Sequence, residues 1–309
     1  WQWIAVPVPV LPGPAIGAGI ACIVLVLWPR PLPARYRLTT LLLVVIALAA
    51  RPAAVPDLRV VVMDVGQGLA VLLQSPAHAV LFDAGPRYRS GGDAGRTVVL
   101  PILRHFGVRR LDRFVVSHGD ADHAGGAGSI LAAWPETPLS ASVPLDVPAA
   151  GFDRCRAGQT WHAGQITFRM LHPERAVSQG PWSENDASCV LLLRSPTAAV
   201  LLPGDIERRA EHRLVLRGVL SAVDLVIAPH HGSRSSSTPP FVTVTRPTWV
   251  VFAAGYLNRW GFPAAAVRRR WADGGACALI TGDLGALIFE ARDGGPLRLV
   301  QRYRVDRFR

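Results

Sequence analysis

Ser117-His118-Gly119-Asp120-Ala121-Asp122-His123-Ala124-Gly125-Gly126 sets four metal-capable side chains, His118, Asp120, Asp122 and His123, within six residues. A fold gains nothing from crowding carboxylates and imidazoles that repel or desolvate one another. A divalent cation reverses that balance, because it neutralises the carboxylates and takes the imidazole nitrogens. The strand-like run Leu111-Asp112-Arg113-Phe114-Val115-Val116 comes just before, and small residues follow. The pattern predicts a strand-to-helix loop that presents its side chains from a rigid scaffold.

Short β-branched or leucine-rich runs recur on both sides of this stretch, at 60–63, 70–73, 79–82, 114–116, 190–193, 198–202, 225–228, 249–252 and 278–280. Many are too short for helices and end in Gly, Asp or Pro. Helical patterns fit 97–106, 128–134, 207–216 and 264–271. The alternation predicts an α/β domain over 57–309, with two sheets sandwiched between helix layers. Three of the strands end in polar groups: Asp83 in Leu81-Phe82-Asp83-Ala84-Gly85, Asp205 in Leu201-Leu202-Pro203-Gly204-Asp205, and His230-His231 after Leu225-Val226-Ile227-Ala228-Pro229. Taken singly, each also has a plain reading, Asp83 and Asp205 as turn formers and His230-His231 as a surface pair. Together they predict polar groups gathered along one sheet edge, where such folds carry their sites.

All 33 basic residues are arginine, and the formal net charge is +11. The arginine usage fits a GC-rich genome, but the excess of positive charge points to an anionic partner, nucleic acid or lipid headgroup. It argues against a small neutral substrate. Cys22, Cys155, Cys189 and Cys277 show no zinc-knuckle spacing. They read as small apolar residues, or two of the later three pair. Residues 1–56 contain no acid and only Arg30, Arg35, Arg37 and Arg51. Two apolar runs there, 15–28 and 38–50, are short of the roughly 20 residues a spanning helix uses. They are read as the end of a transmembrane region whose upstream part is missing. The arginine-rich link between them would face the cytoplasm, which puts 57–309 on the outer side.

The ordered set Asp64-Val65-Gly66-Gln67-Gly68, Phe82-Asp83-Ala84-Gly85, Ser117 to Gly126, Asn185-Asp186-Ala187-Ser188-Cys189-Val190, Pro203-Gly204-Asp205-Ile206-Glu207, His230-His231-Gly232-Ser233-Arg234 and Ala254-Gly255-Tyr256-Leu257-Asn258-Arg259 resembles the metallo-β-lactamase superfamily. Within it, the set is similar to the C-terminal domain of the ComEC family of competence DNA-uptake channels. The resemblance spans about 58–303, and the apolar segments before it match the end of that family's membrane channel.

The resemblance implies an αββα sandwich, preceded by membrane helices, with two divalent metals at one edge. His118 and Asp120 would hold the first, Asp122 and His123 the second, and Asp205 would bridge them. His231, or His230, would complete the second site. The last ligand of the first site, usually a histidine, falls on Asn185 or Asp186. Oxygen in place of nitrogen there and at Asp120 shifts preference from Zn²⁺ toward Mn²⁺ or Mg²⁺. Asp122, Asp205 and His230 are the catalytic candidates, while Asp83 and Asp64 would support the ligands from behind. Ser233, Arg234, Ser235 and Arg259 are candidates for phosphate contact, although 232–238 equally fits a solvated loop. Basic stretches at 268–271 and 298–309 fit either a DNA track or solvated faces. Phe262 stands where the resemblance expects a histidine.

The expectation that follows is a metal-dependent nuclease domain of an inner-membrane DNA-uptake channel, degrading the strand that is not imported. Its partners would be single- or double-stranded DNA without sequence preference, the membrane, the rest of the channel and other competence proteins. The alternatives are a non-catalytic threading module and, against the charge, a small-molecule hydrolase.

Overall fold

Runs such as Leu58–Val62 and Val190–Arg194 are apolar on both alternating faces, so each strand needs cover on two sides. The computed structural model describes Gly19 and residues 55–303 apart from 148, 150 and 175–182. Apart from Gly19, the expected membrane runs lie outside those residues, and no helix among the described residues is long and apolar enough to cross a membrane. The chain divides between Val55 and Pro56, and every described strand belongs to the second unit.

Two sheets supply the cover. One has eight strands in the order Arg298–Tyr303, Ala286–Ala291, Leu58–Val62, Val71–Gln74, Ala79–Phe82, Arg113–Val116, Leu139–Ala141 and Phe152–Arg154. The other has seven: Cys277–Ile280, Trp249–Phe252, Leu225–Ile227, Ala199–Leu202, Val190–Arg194, Ile166–His172 and Thr160–Ala163. Alternate residues of both, among them Val60, Val62, Leu191, Leu193, Val200 and Leu202, form one core between the sheets. The opposite faces bury Val61, Leu81 and Phe114 against Leu100–His105 and Ala127–Ala133. Leu201, Val226 and Phe252 pack against Arg208–Leu216, Pro239–Thr245 and Ala265–Asp273. The result is the four-layer sandwich expected from the strand grouping.

Parallel pairing decides where the site falls. Ala79–Phe82 runs parallel to Arg113–Val116, and Ala199–Leu202 runs parallel to Leu225–Ile227. The carboxyl ends of each pair therefore share an edge, which brings Asp83 beside Ser117 and Asp205 beside the histidine pair. The sequence pattern missed several elements for physical reasons. Phe152–Arg154 and Thr160–Ala163 are mostly exposed, so they lack an apolar signal. Ala286–Ala291 is wholly buried but carries Glu290, which the guanidinium of Arg59 neutralises at 2.7 Å. Pro239–Thr245 is rich in β-branched residues, poor helix formers on their own, and is held by the burial of Phe241 and Val242.

Cys155 and Cys189, open between pairing and plain packing in the sequence, form a buried disulfide. It joins the residue after Phe152–Arg154 to the residue before Val190–Arg194, and so links the two sheets. Cys277 is free and exposed.

Candidate metal centre

The first candidate ligand loop is wired from beneath by Asp83. This carboxylate is fully buried, with a left-handed φ of 58°. It accepts hydrogen bonds from the Ser117 N–H at 2.6 Å and the Ser117 hydroxyl at 2.8 Å, and it lies 2.7 Å from His123 Nδ1. With Nδ1–H donated to Asp83, the imidazole turns Nε2 into the site. The Asp64–Gly68 loop braces the same segment from the side, where the Leu69 N–H donates to the Asp122 carbonyl at 3.1 Å. A Cβ at Gly68 would strike that carbonyl, and φ there is 136°, so the close approach requires glycine. Asp64 itself accepts from the Gly66 N–H at 3.1 Å, which shapes the bracing loop.

Residues from the second sheet face this loop. Asp205, 4% exposed, sets Oδ1 3.1 Å from His123 Nε2 and Oδ2 3.4 Å from His231 Nε2. His231 Nε2 lies 3.3 Å from Asp122 Oδ2 and 3.2 Å from His123 Nε2. His230 turns the other way, with Nδ1 3.1 Å from Glu207 Oε1 and Nε2 3.9 Å from Asp205 Oδ2. Both histidines are left-handed, at φ 48° and 53°. Such backbone costs on the order of 1–3 kcal/mol per residue and persists where the surroundings impose it. A Cβ on Gly232, at φ 85°, would meet Phe252 and Pro263 at 2.7 Å, so the turn that sets both histidines depends on this glycine.

Among the described residues, two overlapping groups could hold a metal ion: His118, His123 and Asp205, and Asp122, His123 and His231. Three observations fit a divalent cation. Among the described residues, His118 Nε2 is buried without a hydrogen-bond partner, an expensive state for a bare imidazole. Two nitrogens on one tetrahedral zinc, each about 2.0–2.1 Å from it, stand roughly 3.3 Å apart, close to the 3.2 Å between His123 and His231. The carboxylates are also held ionised. Burial opposes the charge on Asp122, but His231 and His123 outweigh it and draw its pKa down to about 2. Burial likewise opposes Asp205, and His123 and His231 hold it well below the carboxylate range. His118 lowers Asp120 in the same sense. Burial disfavours the imidazolium of His123, yet Asp205 and Asp83 raise it well above the usual histidine value. A dense negative field around buried imidazoles is what a cation would relieve.

The remaining candidates fall at different distances from this centre. The side chain of Asp120 is 47% exposed and belongs to neither group, although its carboxylate is 3.4 Å from His118 Nε2. Asp186 also lies outside both groups. Its Oδ1 accepts the N–H of Glu207 at 2.8 Å and of Ala210 at 3.2 Å, at the start of helix Arg208–Leu216. Asn185 opens the adjoining 3₁₀ turn, whose Asp186 carbonyl accepts from buried His172 at 2.7 Å. The loop 232–238 is internally bonded. The Ser235 hydroxyl donates to Glu207 at 2.6 Å and lies 2.9 Å from the Ser233 hydroxyl, while Arg234 is exposed. In the basic run 268–271, Trp271 is core, Arg270 bonds the Ser237 carbonyl, and only Arg268 and Arg269 are exposed. Of 298–309, the stretch Arg298–Tyr303 is an edge strand, and 304–309 lie outside the described residues.

Residues 63–253 match the Metallo-beta-lactamase superfamily. The chain belongs to the metallo-β-lactamase superfamily. It is 35% identical over 301 residues to Competence protein ComA of Neisseria gonorrhoeae, covering 96% of this chain and 41% of that protein. It is 34% identical over 215 residues to Recombination protein 2 of Haemophilus influenzae, covering 70% of this chain and 26% of that one. The chain thus spans well under half of these relatives, and it resembles ComEC-type competence proteins over the part it shares. Among solved structures, the CmlA β-hydroxylase E377D mutant is 13% identical with a TM-score of 0.50, covering 84% of this chain and 60% of that one. That likeness shows the fold alone. In a metallo-β-lactamase sandwich, the supporting groups Ser117, Ser188 and Glu207 carry no distinct sequence signal. Ser188, whose hydroxyl accepts the Asp205 N–H at 3.2 Å, and Glu207 sit inside motifs yet read as ordinary neighbours.

Proposed function

We propose that this chain is the metal-dependent nuclease domain of a DNA-uptake channel, hydrolysing phosphodiester bonds of the strand that is not imported during natural transformation. The observation that carries the reading is the overlap of two metal-capable groups within a chain similar to one competence protein along nearly its whole length. The +11 charge supports a polyanionic substrate. A disulfide persists in oxidising compartments, and Cys155–Cys189 supports placing 57–309 on the periplasmic or extracellular side of the inner membrane.

In this reading two divalent ions, Mn²⁺ or Zn²⁺ with Mg²⁺ as the third choice, supply hydroxide near neutral pH and steady the attacking and leaving oxygens when bound. His118, Asp120, Asp122, His123, Asp205 and His231 would hold them. Asn185 or Asp186 would complete the first site, with Asp186 Oδ1 accepting the N–H groups of Glu207 and Ala210 in the structure. Asp83 fixes the tautomer of His123. Glu207 accepts from His230 Nδ1, so the imidazolium form, which carries its second proton on Nε2 on the Asp205 side, would give that proton to the leaving oxygen and be left as the neutral Nδ1–H ring. Arg234 and Arg259 are exposed and offer phosphate contacts, while the hydroxyls of Ser233 and Ser235 set the position of Glu207.

One observation favours a threading module without hydrolysis. Phe262 packs 5.7 Å from the His230 ring and 6.5 Å from that of His231, an apolar wall where a polar contact was expected. The test is cleavage of single- and double-stranded DNA by the full chain with added Mn²⁺, Zn²⁺ or Mg²⁺, beside Asp122→Ala/His123→Ala. Metal-dependent cleavage that vanishes in the double variant supports the nuclease. Salt-sensitive DNA binding without cleavage under any metal overturns it in favour of threading.

A further inference from the structure

Three of the six exposed large apolar side chains among the described residues sit on one short loop after strand Trp249–Phe252: Tyr256 at 49%, Leu257 at 85% and Trp260 at 50% exposure. Leaving that much apolar surface in water is unfavourable, and its concentration in one place marks a partner. The loop is also firmly built. The Asn258 side-chain amide donates to the Gly255 carbonyl at 2.9 Å and the Phe262 carbonyl at 2.6 Å, and its oxygen accepts the Phe262 N–H at 2.9 Å. One asparagine thus ties both ends of the loop. Leu257 is held at a left-handed φ of 47°. At one foot the Gly255 N–H donates to Gln67 at 3.3 Å, within the loop that braces the first ligand segment. At the other foot Phe262 lies against the rings of His230 and His231.

We propose that loop 255–261 is a base-stacking platform that receives single-stranded DNA beside the candidate metal centre. The inference rests on the nuclease or threading reading for its ligand class and deepens it by naming the unpaired base as what is bound. Aromatic rings on a rigid loop stack nucleobases irrespective of sequence, because every base offers a π face. The Arg259 guanidinium lies 4.3 Å from the centroid of the Trp260 ring, which steadies that ring and sets positive charge where a backbone phosphate would follow its base. Arg268 and Arg269, exposed on the helix that begins just after the loop, extend the charge. Paired bases are stacked within a duplex and do not present their faces, so the platform selects unpaired strands.

The experiment compares a short oligothymidylate with an abasic strand of equal length and charge, bound to the full chain in EDTA so that no hydrolysis enters. The expected result is a preference of about tenfold for the strand with bases. Trp260→Ala and Tyr256→Ala each remove most of that preference while leaving the abasic strand and the salt dependence unchanged, and Trp260→Phe retains it. Equal binding of the two strands by the unaltered chain overturns the proposal. So does an alanine series that lowers neither strand, or both alike. Loss of binding to anionic lipid vesicles, with oligonucleotide affinities intact, overturns it in favour of a membrane contact. Failure of the nuclease reading is read separately, as absence of cleavage once metal is restored.

Discussion

The loop after Arg113–Val116 and the loop after Leu225–Ile227 meet at one edge of the sandwich, and each is pinned by a buried carboxylate from elsewhere. In the first, Asp83 accepts from Ser117 and His123, so the anchor and a candidate ligand are directly bonded. In the second, Glu211 accepts the Ser237 N–H at 2.5 Å and the Thr238 N–H at 2.7 Å, several residues past the histidines. The first loop is therefore set by hydrogen bonds at its ligands. The second is set by backbone geometry, with His230 and His231 forced left-handed and Glu207 and Ser235 beside the first of them. A site of this kind is preorganised twice, by wiring on one side and by strain on the other.

The largest effect separates ligands from anchors. Asp205→Ala removes the carboxylate that faces both histidines and is expected to abolish divalent-metal binding by calorimetry. DNA cleavage should fall with it by at least about a thousandfold, as loss of several kcal/mol of charge stabilisation requires. Retention of full metal affinity would remove Asp205 from the centre. Asp83→Ala leaves His123 Nδ1 and Ser117 buried without their acceptor. It should cost about 3–5 kcal/mol in denaturant unfolding and weaken metal binding by roughly 10–100-fold. A mild effect on both would mean that the first loop is no more wired than the second.

The disulfide tests the link between the halves. Cys189 donates its N–H to the Ser117 carbonyl at 2.8 Å, so the cross-link lies close behind the first loop. With its cysteines 34 positions apart, Cys155→Ser/Cys189→Ser should lower stability by about 3–4 kcal/mol. Thermal melts with and without reductant measure that loss.

The smallest effects are in pH. Asp122 is depressed to about 2 from an ordinary 3.8, so its stabilisation is present above about pH 4 and is lost as pH falls from 4 to 2. In metal-free protein, Asp122→Asn should remove up to about 2 kcal/mol of that acid sensitivity, less after screening by solvent. Glu211 is raised by burial, even though Thr238 and Ser237 bond it. Its contribution is present below the ordinary value of 4.5 and declines as pH rises through the higher folded value. Glu211→Gln should therefore gain on the unaltered chain as pH increases, read from melts across that range. The opposite trend would show that the second loop depends on a charged anchor.

The first candidate loop was legible because its metal-capable side chains are neighbours in sequence and no packing need explains them. The strands that carry Asp83, Asp205 and His230 were legible too, because a strand buried on both faces reads as an unbroken apolar run. Sequence by itself determined the layered α/β architecture, the crowding of metal-capable groups and the basic balance of charge. Tertiary structure alone decided that Asp186 caps a helix, that Glu207 orients His230, that Cys155 meets Cys189 and that Tyr256 and Trp260 stand in solvent beside the site. The physical reason is shared: a hydrogen bond or an exposure depends on which strand ends lie side by side, and parallel pairing across long sequence separations sets that without leaving a local pattern.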